Sequence, residues 1–220
     1  NKPVSNCEYP CYMKIFSEVS TAQKIVRPEI KLNDPCILQY TGGTTGVSKG
    51  AELNHKNILA NSIQTLNRLG EALIDGEEVV VCPLPLYHIY AFTVCMMTFF
   101  AKGALVVLIP NPRDINGFVD TLKNHKFTAF AGINTLFMGL CQHPEFAKLD
   151  FSALRLTMSG GTALTGFAAD TWEKTTACSV TEGYGLSETS PVVAFNKPGQ
   201  EVRGSVGFPL DGTDIQLLDA

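Results

Sequence analysis

The sequence predicts an α/β fold: an open, mostly parallel sheet with helices on both faces, followed by the start of a β-rich subdomain at the carboxyl end. Three observations predict it. Short apolar runs alternate with segments of helical periodicity, the pattern of a parallel sheet wrapped by its crossover helices. The strand runs are apolar at consecutive positions, as strands buried on both faces must be. Glycine-rich segments at 42–50, 160–161 and 183–185 each follow a strand run, so they are expected to meet at one sheet edge, where such folds bind ligands.

Each element has a local cause. The apolar run Cys36–Tyr40 reads as a strand entering the loop Thr41–Gly50. Asn54 is a plausible N-cap for a helix carrying Ile58, Leu59, Ile63, Leu66 and Leu69, and Gly70 is placed to end it. Val79–Cys82 reads as a strand closed by Pro83 and Pro85. A helix over 88–101 and a strand over 104–109 follow, separated by Gly103. Asn111–Arg113 is a turn, and Ile115, Phe118, Val119 and Leu122 recur at helical spacing after Asp114. Phe127–Ala131 reads as a strand, Leu136, Phe137 and Leu140 as a helix, Leu154–Met158 as a strand, Phe167–Lys174 as a helix, and Ser179–Thr181 as a strand leading into Gly183-Tyr184-Gly185. After Gly199 the texture changes to glycine, proline and β-branched residues, and Val202–Asp219 reads as the beginning of a β element.

Composition narrows the function. A net charge of −4 with no basic run argues against a nucleic-acid partner. Seven cysteines, an odd number in a chain large enough to fold without staples, predict reduced thiols and a cytoplasmic setting. The pair Cys7 and Cys11 has no further Cys or His at ligand spacing, so a thiolate metal site is not expected. The apolar stretch 89–109 is cut by Lys102-Gly103 into pieces of 13 and about 6 residues, short of the roughly 20 a spanning helix needs. The absence of an initiator Met, and an end at Leu217-Leu218-Asp219-Ala220 without a terminal cap, suggest a piece of a longer protein.

Most of the chemical information lies in Thr41-Gly42-Gly43-Thr44-Thr45-Gly46-Val47-Ser48-Lys49-Gly50. Glycines let backbone N–H groups converge on one anion. Thr41, Thr44, Thr45 and Ser48 add hydroxyl donors, and Lys49 adds a mobile positive charge. Together they suit a polyphosphate. The P-loop pattern G-x-x-x-x-G-K-[ST] started at Gly43 fails at Ser48 and at Gly50. Neither is there a G-x-G-x-x-G, because Glu188 stands where its last glycine would fall. Gly46-Val47-Ser48-Lys49-Gly50 does match G-x-S-x-G, the serine-hydrolase elbow, with Asp120 and then His125 or His143 as ordered partners. An elbow serine sits at the strand-to-helix turn itself, however, and Ser48 lies eight residues beyond Tyr40.

The segment Tyr40–Gly50 resembles the signature loop of the adenylate-forming superfamily, which includes acyl-CoA synthetases, luciferases and peptide-synthetase adenylation domains. Three further segments match in order. Pro83-Leu-Pro-Leu-Tyr-His-Ile-Tyr90 is similar to the family's aromatic/His motif, Gly183-Tyr-Gly-Leu-Ser-Glu-Thr189 to its Y-G-x-T-E motif, and Gly204-Ser-Val-Gly-Phe-Pro209 to its next glycine motif. Asn111-Pro-Arg-Asp114 and Gly132-Ile-Asn-Thr-Leu-Phe137 look most like bacterial long-chain fatty acid–CoA ligases. The resemblance covers residues 30–220. It implies a connecting segment at 1–30, an α/β AMP-binding subdomain at 31–199 and an incomplete β subdomain at 200–220.

The resemblance also implies the reaction of an acid–thiol ligase. A fatty carboxylate attacks the α-phosphorus of ATP, giving acyl-adenylate and pyrophosphate, and the thiol of CoA then displaces AMP. By resemblance Thr41–Lys49 hold the β- and γ-phosphates, and Glu188 with the hydroxyl of Thr41 ligates Mg²⁺. Tyr184 and Gly185 border the adenine, which Gly160, Gly161 and Thr162 contact through backbone. Ser187 replaces the usual Thr and keeps a hydroxyl that could reach the α-phosphate. Thr162 stands where a small apolar residue is common. His88 borders the carboxylate end of the acyl site, Phe92 matches an aromatic gate, and Gly132 belongs to the acyl site. Lys49, Glu188 and His88 are the implied catalytic set. Family members carry a catalytic lysine and a ribose-binding aspartate in segments downstream of this one, so the chain alone is expected to turn over little. The competing reading is a non-catalytic nucleotide- and acyl-binding module. Long-chain acids partition into bilayers, so peripheral contact with the inner face of the membrane is implied without an anchor.

Overall fold

A computed structural model describes residues 28–41 and 48–219. Contacts divide the chain at Lys31/Leu32, and the architecture below is that of the second unit, Leu32–Ala220. The expectations for 1–27, including the Cys7/Cys11 pair, lie outside the described residues.

The strands are β1 (Pro35–Thr41), β2 (Lys49–Asn54), β3 (Val79–Cys82), β4 (Leu105–Leu108), β5 (Ala129–Gly132), β6 (Leu156–Ser159), β7 (Val180–Gly185), β8 (Val192–Phe195) and β9 (Phe208–Pro209). The helices are α1 (His55–Leu69), α2 (Phe99–Ala101), α3 (Ile115–Leu122), α4 (Asn134–Cys141) and α5 (Gly166–Thr176). A π-helical segment, Tyr90–Thr98, runs directly into α2.

One seven-stranded sheet has the order β4-β3-β5-β6-β7-β8-β9. Its β4-β3-β5-β6-β7 part is parallel. β8 and β9 extend it antiparallel. Consecutive strand residues serve opposite faces. Val80 and Ala129 join a core layer with Leu69, Val94 and Phe99, from α1, the π-helical segment and α2. Val81 and Phe130 join the other layer with Phe118, Phe137 and Trp172, from α3, α4 and α5. This two-sided burial is why the strand runs are continuously apolar. The second layer is aromatic: the Trp172 ring lies 4.8 Å from Phe130, 4.9 Å from Phe137 and 5.5 Å from Phe146.

Helix boundaries follow local chemistry. Asn54 caps α1 through a reciprocal pair with Asn57: the Asn57 N–H donates to Asn54 Oδ1 at 2.8 Å, and the Asn54 N–H to Asn57 Oδ1 at 3.0 Å. Gly70, with φ +52°, ends the helix as its position predicts. Asp114 caps α3, accepting from the Gly117 N–H at 3.0 Å, and Thr165 caps α5, accepting from the Ala168 N–H at 3.3 Å. In the π-helical segment Thr98 Oγ1 donates to the Thr93 carbonyl five residues back, at 3.0 Å.

Several elements differ from the sequence-based reading: β8 is not among the predicted strands, the helix expected over 88–101 is largely π-helical, and of Val202–Asp219 only Phe208–Pro209 forms a strand, paired with β8. Two further differences bear on the site. The run 36–40 does not enter the main sheet. It forms β1, which pairs antiparallel with β2 as a separate hairpin, Thr41 opposite Lys49 and Tyr40 opposite Gly50. β2 carries only Ala51 and Leu53 as inward apolar residues, too weak a pattern to stand out from a glycine-rich loop. The second difference is at 183–185, which belongs to β7 rather than to the loop beyond it. Among the described residues no helix is long and apolar enough to cross a membrane, and Cys36, Cys82, Cys95, Cys141 and Cys178 are free thiols.

The aromatic layer yields a stability prediction. The buried Trp172 indole N–H donates to Thr157 Oγ1 at 2.9 Å. Thr157→Val keeps the shape and leaves that N–H unpaired, so we expect a loss of about 1–3 kcal/mol. Urea denaturation reads it as a lower midpoint with an unchanged slope.

Candidate active site

The parallel strands β3, β5, β6 and β7 all end at one edge of the sheet, and the segments that follow β3, β6 and β7 meet there. From β3 the chain runs through Pro83 and Pro85 to His88 and the π-helical segment. β6 runs into Gly160 and Gly161, and β7 into a 3₁₀ turn, Ser187–Thr189. With the hairpin they enclose a cleft of about 340 Å³.

Eight of the residues singled out from the sequence line this cleft: Thr41, His88, Gly160, Gly161, Tyr184, Gly185, Ser187 and Glu188. They come from four segments spread over nearly 150 positions. Ser48, Lys49, Phe92, Gly132 and Thr162 do not line it. Lys49 lies one register pair across the hairpin from Thr41, whose hydroxyl donates to the Lys49 carbonyl at 3.4 Å. It is exposed and has no ion-pair partner among the described residues. Gly42, Gly43, Thr44, Thr45 and Gly46 lie outside the described residues. Phe92 packs beside Leu53, Ile58 and Ile89 under the hairpin. A side chain on Gly132 would meet the Phe137 ring at 2.7 Å, so aromatic packing alone demands glycine there. Thr162 is exposed on the turn after Gly161.

Glycines 183 and 185 have a physical reason the motif alone did not give. A Cβ on Gly183 would lie 2.1 Å from the Phe195 ring, and one on Gly185 would lie 2.1 Å from the Pro191 carbonyl oxygen. β8 is pressed against the end of β7, and only glycine admits that approach. Gly161 has a different need, a left-handed φ of +83°.

The turn that carries Ser187 and Glu188 is closed by its own hydrogen bonds. The Leu186 N–H donates to Thr189 Oγ1 at 2.9 Å and to the Pro191 carbonyl at 3.2 Å, and the Thr189 hydroxyl donates to the Leu186 carbonyl at 3.0 Å. Glu188 is left exposed, with no hydrogen-bond or ion-pair partner among the described residues. Tyr184, half exposed between the two glycines, lines the cleft.

His88 Nδ1 accepts the Tyr90 backbone N–H at 3.2 Å, so the neutral ring carries its proton on Nε2. Partial burial lowers its pKa, which keeps it neutral at pH 7. Tyr90 is buried, and desolvation holds its phenol well above the ordinary range, so it is a neutral hydroxyl. Neither the Tyr90 hydroxyl nor Ser159 Oγ finds a hydrogen-bond partner among the described residues.

Sequence reasoning missed several lining residues: Thr65 of α1, Tyr90 and Val94 of the π-helical segment, and Pro191, Val192 and Phe195 around β8. The run Pro191-Val-Val-Ala-Phe195 carries a strand signature that could have revealed β8. It also missed the residues that hold the 160–165 loop. Asn134 Nδ2 donates to the Ala163 carbonyl at 2.6 Å, while its Oδ1 accepts the Thr165 N–H at 2.9 Å. Buried Glu182 accepts the Leu164 N–H at 2.8 Å.

The hydrolase constellation does not form. Asp120 pairs with Lys123 at 2.9 Å, and His143 Nε2 meets Asn116 Oδ1 at 2.9 Å. No His or Asp contacts Ser48 among the described residues.

A parallel sheet whose strand ends gather glycine turns, an aromatic residue and an exposed carboxylate in one cleft has the ligand-site architecture of an open α/β fold. The chain belongs to the AMP-binding enzyme family, whose model matches residues 8–220. It is 46% identical over 195 residues to the long-chain-fatty-acid–CoA ligase of Salmonella typhimurium, covering 88% of this chain and 35% of that protein. To the ligase of the same name from Bacillus subtilis it is 37% identical over 210 residues, covering 94% of this chain and 36% of that one. The chain thus spans about a third of the length of the curated relatives it matches. Among solved structures, an anthranilate CoA ligase in complex with anthranoyl-AMP superposes with a TM-score of 0.78 at 25% identity, covering 86% of this chain and 36% of that one. ATP-bound MatB from Rhodopseudomonas palustris superposes with a TM-score of 0.75 at 27% identity, covering 90% and 39%.

Proposed function

We propose that this chain is the nucleotide- and acyl-binding part of an ATP-dependent long-chain fatty acid–CoA ligase. The observation that carries the reading is the convergence of Thr41, His88, Gly160, Gly161, Tyr184, Ser187 and Glu188 on one cleft at the carboxyl ends of the parallel strands. The names of the curated relatives supply the substrate class.

In the first step a fatty carboxylate oxygen bonds to the α-phosphorus of ATP and the bond to pyrophosphate breaks, the electron pair leaving with pyrophosphate. In the second, the CoA sulfur bonds to the acyl carbon, AMP leaves with its electron pair, and the thiol proton is released. A fatty acid, with a pKa near the 4.3 of Glu, is already ionised at pH 7, so the first step needs positioning and charge neutralisation rather than a base. The Tyr184 ring receives the adenine, and the Ser187 hydroxyl reaches the α-phosphate. Lys49 meets the charge that grows on pyrophosphate. His88 presents its Nε2–H to the carboxylate end of the acyl group. The unsatisfied hydroxyls of Tyr90 and Ser159 fit a ligand that brings its own oxygens.

Thr41 and Glu188 are hard oxygen donors of the kind Mg²⁺ takes. Among the described residues no group of three His, Cys, Asp or Glu could hold a metal, so these two would hold the ion only together with phosphate oxygens. Bound there, Mg²⁺ neutralises triphosphate charge. The fatty substrate would come from the inner face of the membrane on the cytoplasmic side, through its own partitioning.

Because the chain matches only part of a ligase, binding is the readout. Calorimetric titration with Mg²⁺ and a non-hydrolysable ATP analogue is expected to show one site, weakened about tenfold or more in Glu188→Ala. A wild-type chain that fails to bind, or a Glu188→Ala variant that binds equally well, refutes the reading.

A further inference from the structure

The helix α1 carries three polar residues, Asn61, Gln64 and Arg68, at the spacing of one helical face. On sequence alone such a stripe reads as a solvated face. In the structure it reads backbone. Asn61 is buried, 131 positions from its partner, and bonds both backbone groups of Val192. Its Nδ2 donates to the Val192 carbonyl at 2.7 Å, and its Oδ1 accepts the Val192 N–H at 3.0 Å. Arg68 Nη1 donates to the Phe195 and Phe208 carbonyls at 2.6 and 3.0 Å, and Nη2 to the Pro209 carbonyl at 2.7 Å.

The reason lies in the sheet. β9 pairs only with Ala194 and Phe195 of β8. Beyond its reach, the Val192 N–H and C=O have no strand to meet, and the carboxamide of Asn61 stands in for one. Val192 is also the register partner of Gly185. Between those two residues the chain makes the turn that holds Ser187 and Glu188. The same helix begins at His55, directly after the hairpin strand that carries Lys49 and ends at the N-cap Asn54.

We infer that Asn61 is a positioning residue. It pins the carboxyl side of the Ser187–Glu188 turn to α1, and so sets that turn against the hairpin that would bring Lys49 to the same polyphosphate. The consequence for nucleotide rests on the function proposed above; the hold on the turn does not.

Asn61→Asp is the discriminating substitution. A carboxylate still accepts the Val192 N–H but faces the Val192 carbonyl with a lone pair. Protonation restores a donor, and a buried carboxyl beside a carbonyl takes up its proton more readily than one in water. The other titratable or charged groups on the surrounding elements, Arg68 on α1 and Glu188 and His88 on the cleft wall, are shared with the wild type, so variant-to-wild-type ratios at each pH isolate position 61. Asn61→Ala removes both bonds without adding a charge and serves if the Asp variant does not fold at pH 8. Asn67→Ala, at an exposed position of the same helix with no hydrogen-bond partner among the described residues, is the control.

Amide hydrogen exchange read by mass spectrometry, with and without Mg²⁺ and the ATP analogue, tests the proposal. Exchange over 185–192 should quicken about tenfold or more in both Asn61 variants, with β5 and β6 unchanged, and Mg-dependent affinity should fall about tenfold. In Asn61→Asp both ratios should recover toward wild type between pH 8 and pH 5. Exchange that quickens uniformly across the sheet would make Asn61 a plain stability residue and overturn the proposal. So would local quickening with unaltered affinity. Local quickening in a chain whose wild type binds no nucleotide would uphold the hold on the turn and sink the nucleotide reading instead.

Discussion

Arg155→Ala is expected to destabilise the protein by about 3 kcal/mol, the lower end of the range for breaking a buried ion pair, because Arg155 is itself one-third exposed. Its partner Glu78 is fully buried just before β3, accepting from the Arg155 guanidinium, the Thr128 hydroxyl and the Ile74 N–H, the last at 2.6 Å. Arg155 Nε also donates to the Ala72 carbonyl at 3.1 Å. Taking away the guanidinium leaves a carboxylate among neutral donors in a dry site. Urea denaturation should read the loss as a lower midpoint with an unchanged slope. A loss below about 1 kcal/mol would contradict this expectation. The cluster sits at the amino ends of β3 and β6, away from the cleft, so nucleotide affinity of the folded fraction should not change.

Gly185→Ala is expected to lose nucleotide affinity by more than tenfold, with a stability loss of about 1–3 kcal/mol. The new methyl meets the Pro191 carbonyl oxygen at 2.1 Å and its carbon at 2.7 Å. Both are backbone atoms, so relief requires moving the segment that closes the Ser187–Glu188 turn, and small displacements at a positioning site are costly. Gly160→Ala is the contrast. Its Cβ would touch the Tyr90 ring at 3.6 Å, an ordinary contact, and its φ is not left-handed. Calorimetry on the pair should separate them. Equal losses would mean that the glycines serve the ligand directly rather than through packing.

Much of the fold was legible because its signals are local. Asn54, Gly70 and Asp114 punctuate helices through bonds to backbone within a few residues. The strands β3, β5 and β6 announce themselves as short apolar runs because both faces are buried. The hairpin partner β2 was not legible, since two apolar residues among Lys49–Asn54 make no pattern until β1 lies beside them. β8 is apolar and strand-like in itself, but its antiparallel place beside β7 depends on the Ser187–Thr189 turn, which no local pattern announces.

For the site, sequence by itself determined which residue types are present: the hydroxyl- and glycine-rich loop with Lys49, the His88 segment, the paired glycines and the Tyr184–Glu188 motif. Tertiary structure decided what these residues share. Only the parallel strand order brings His88, Gly160 and Glu188 to one edge, only the separate β1-β2 hairpin sets Thr41 beside them, and only the close approach of β8 explains why 183 and 185 must be glycine. The polar residues Asn61 and Arg68 show the limit most plainly. A carboxamide or guanidinium on a helix has the same local sequence context whether it meets water or a backbone more than 120 positions away, and only the fold supplies the partner.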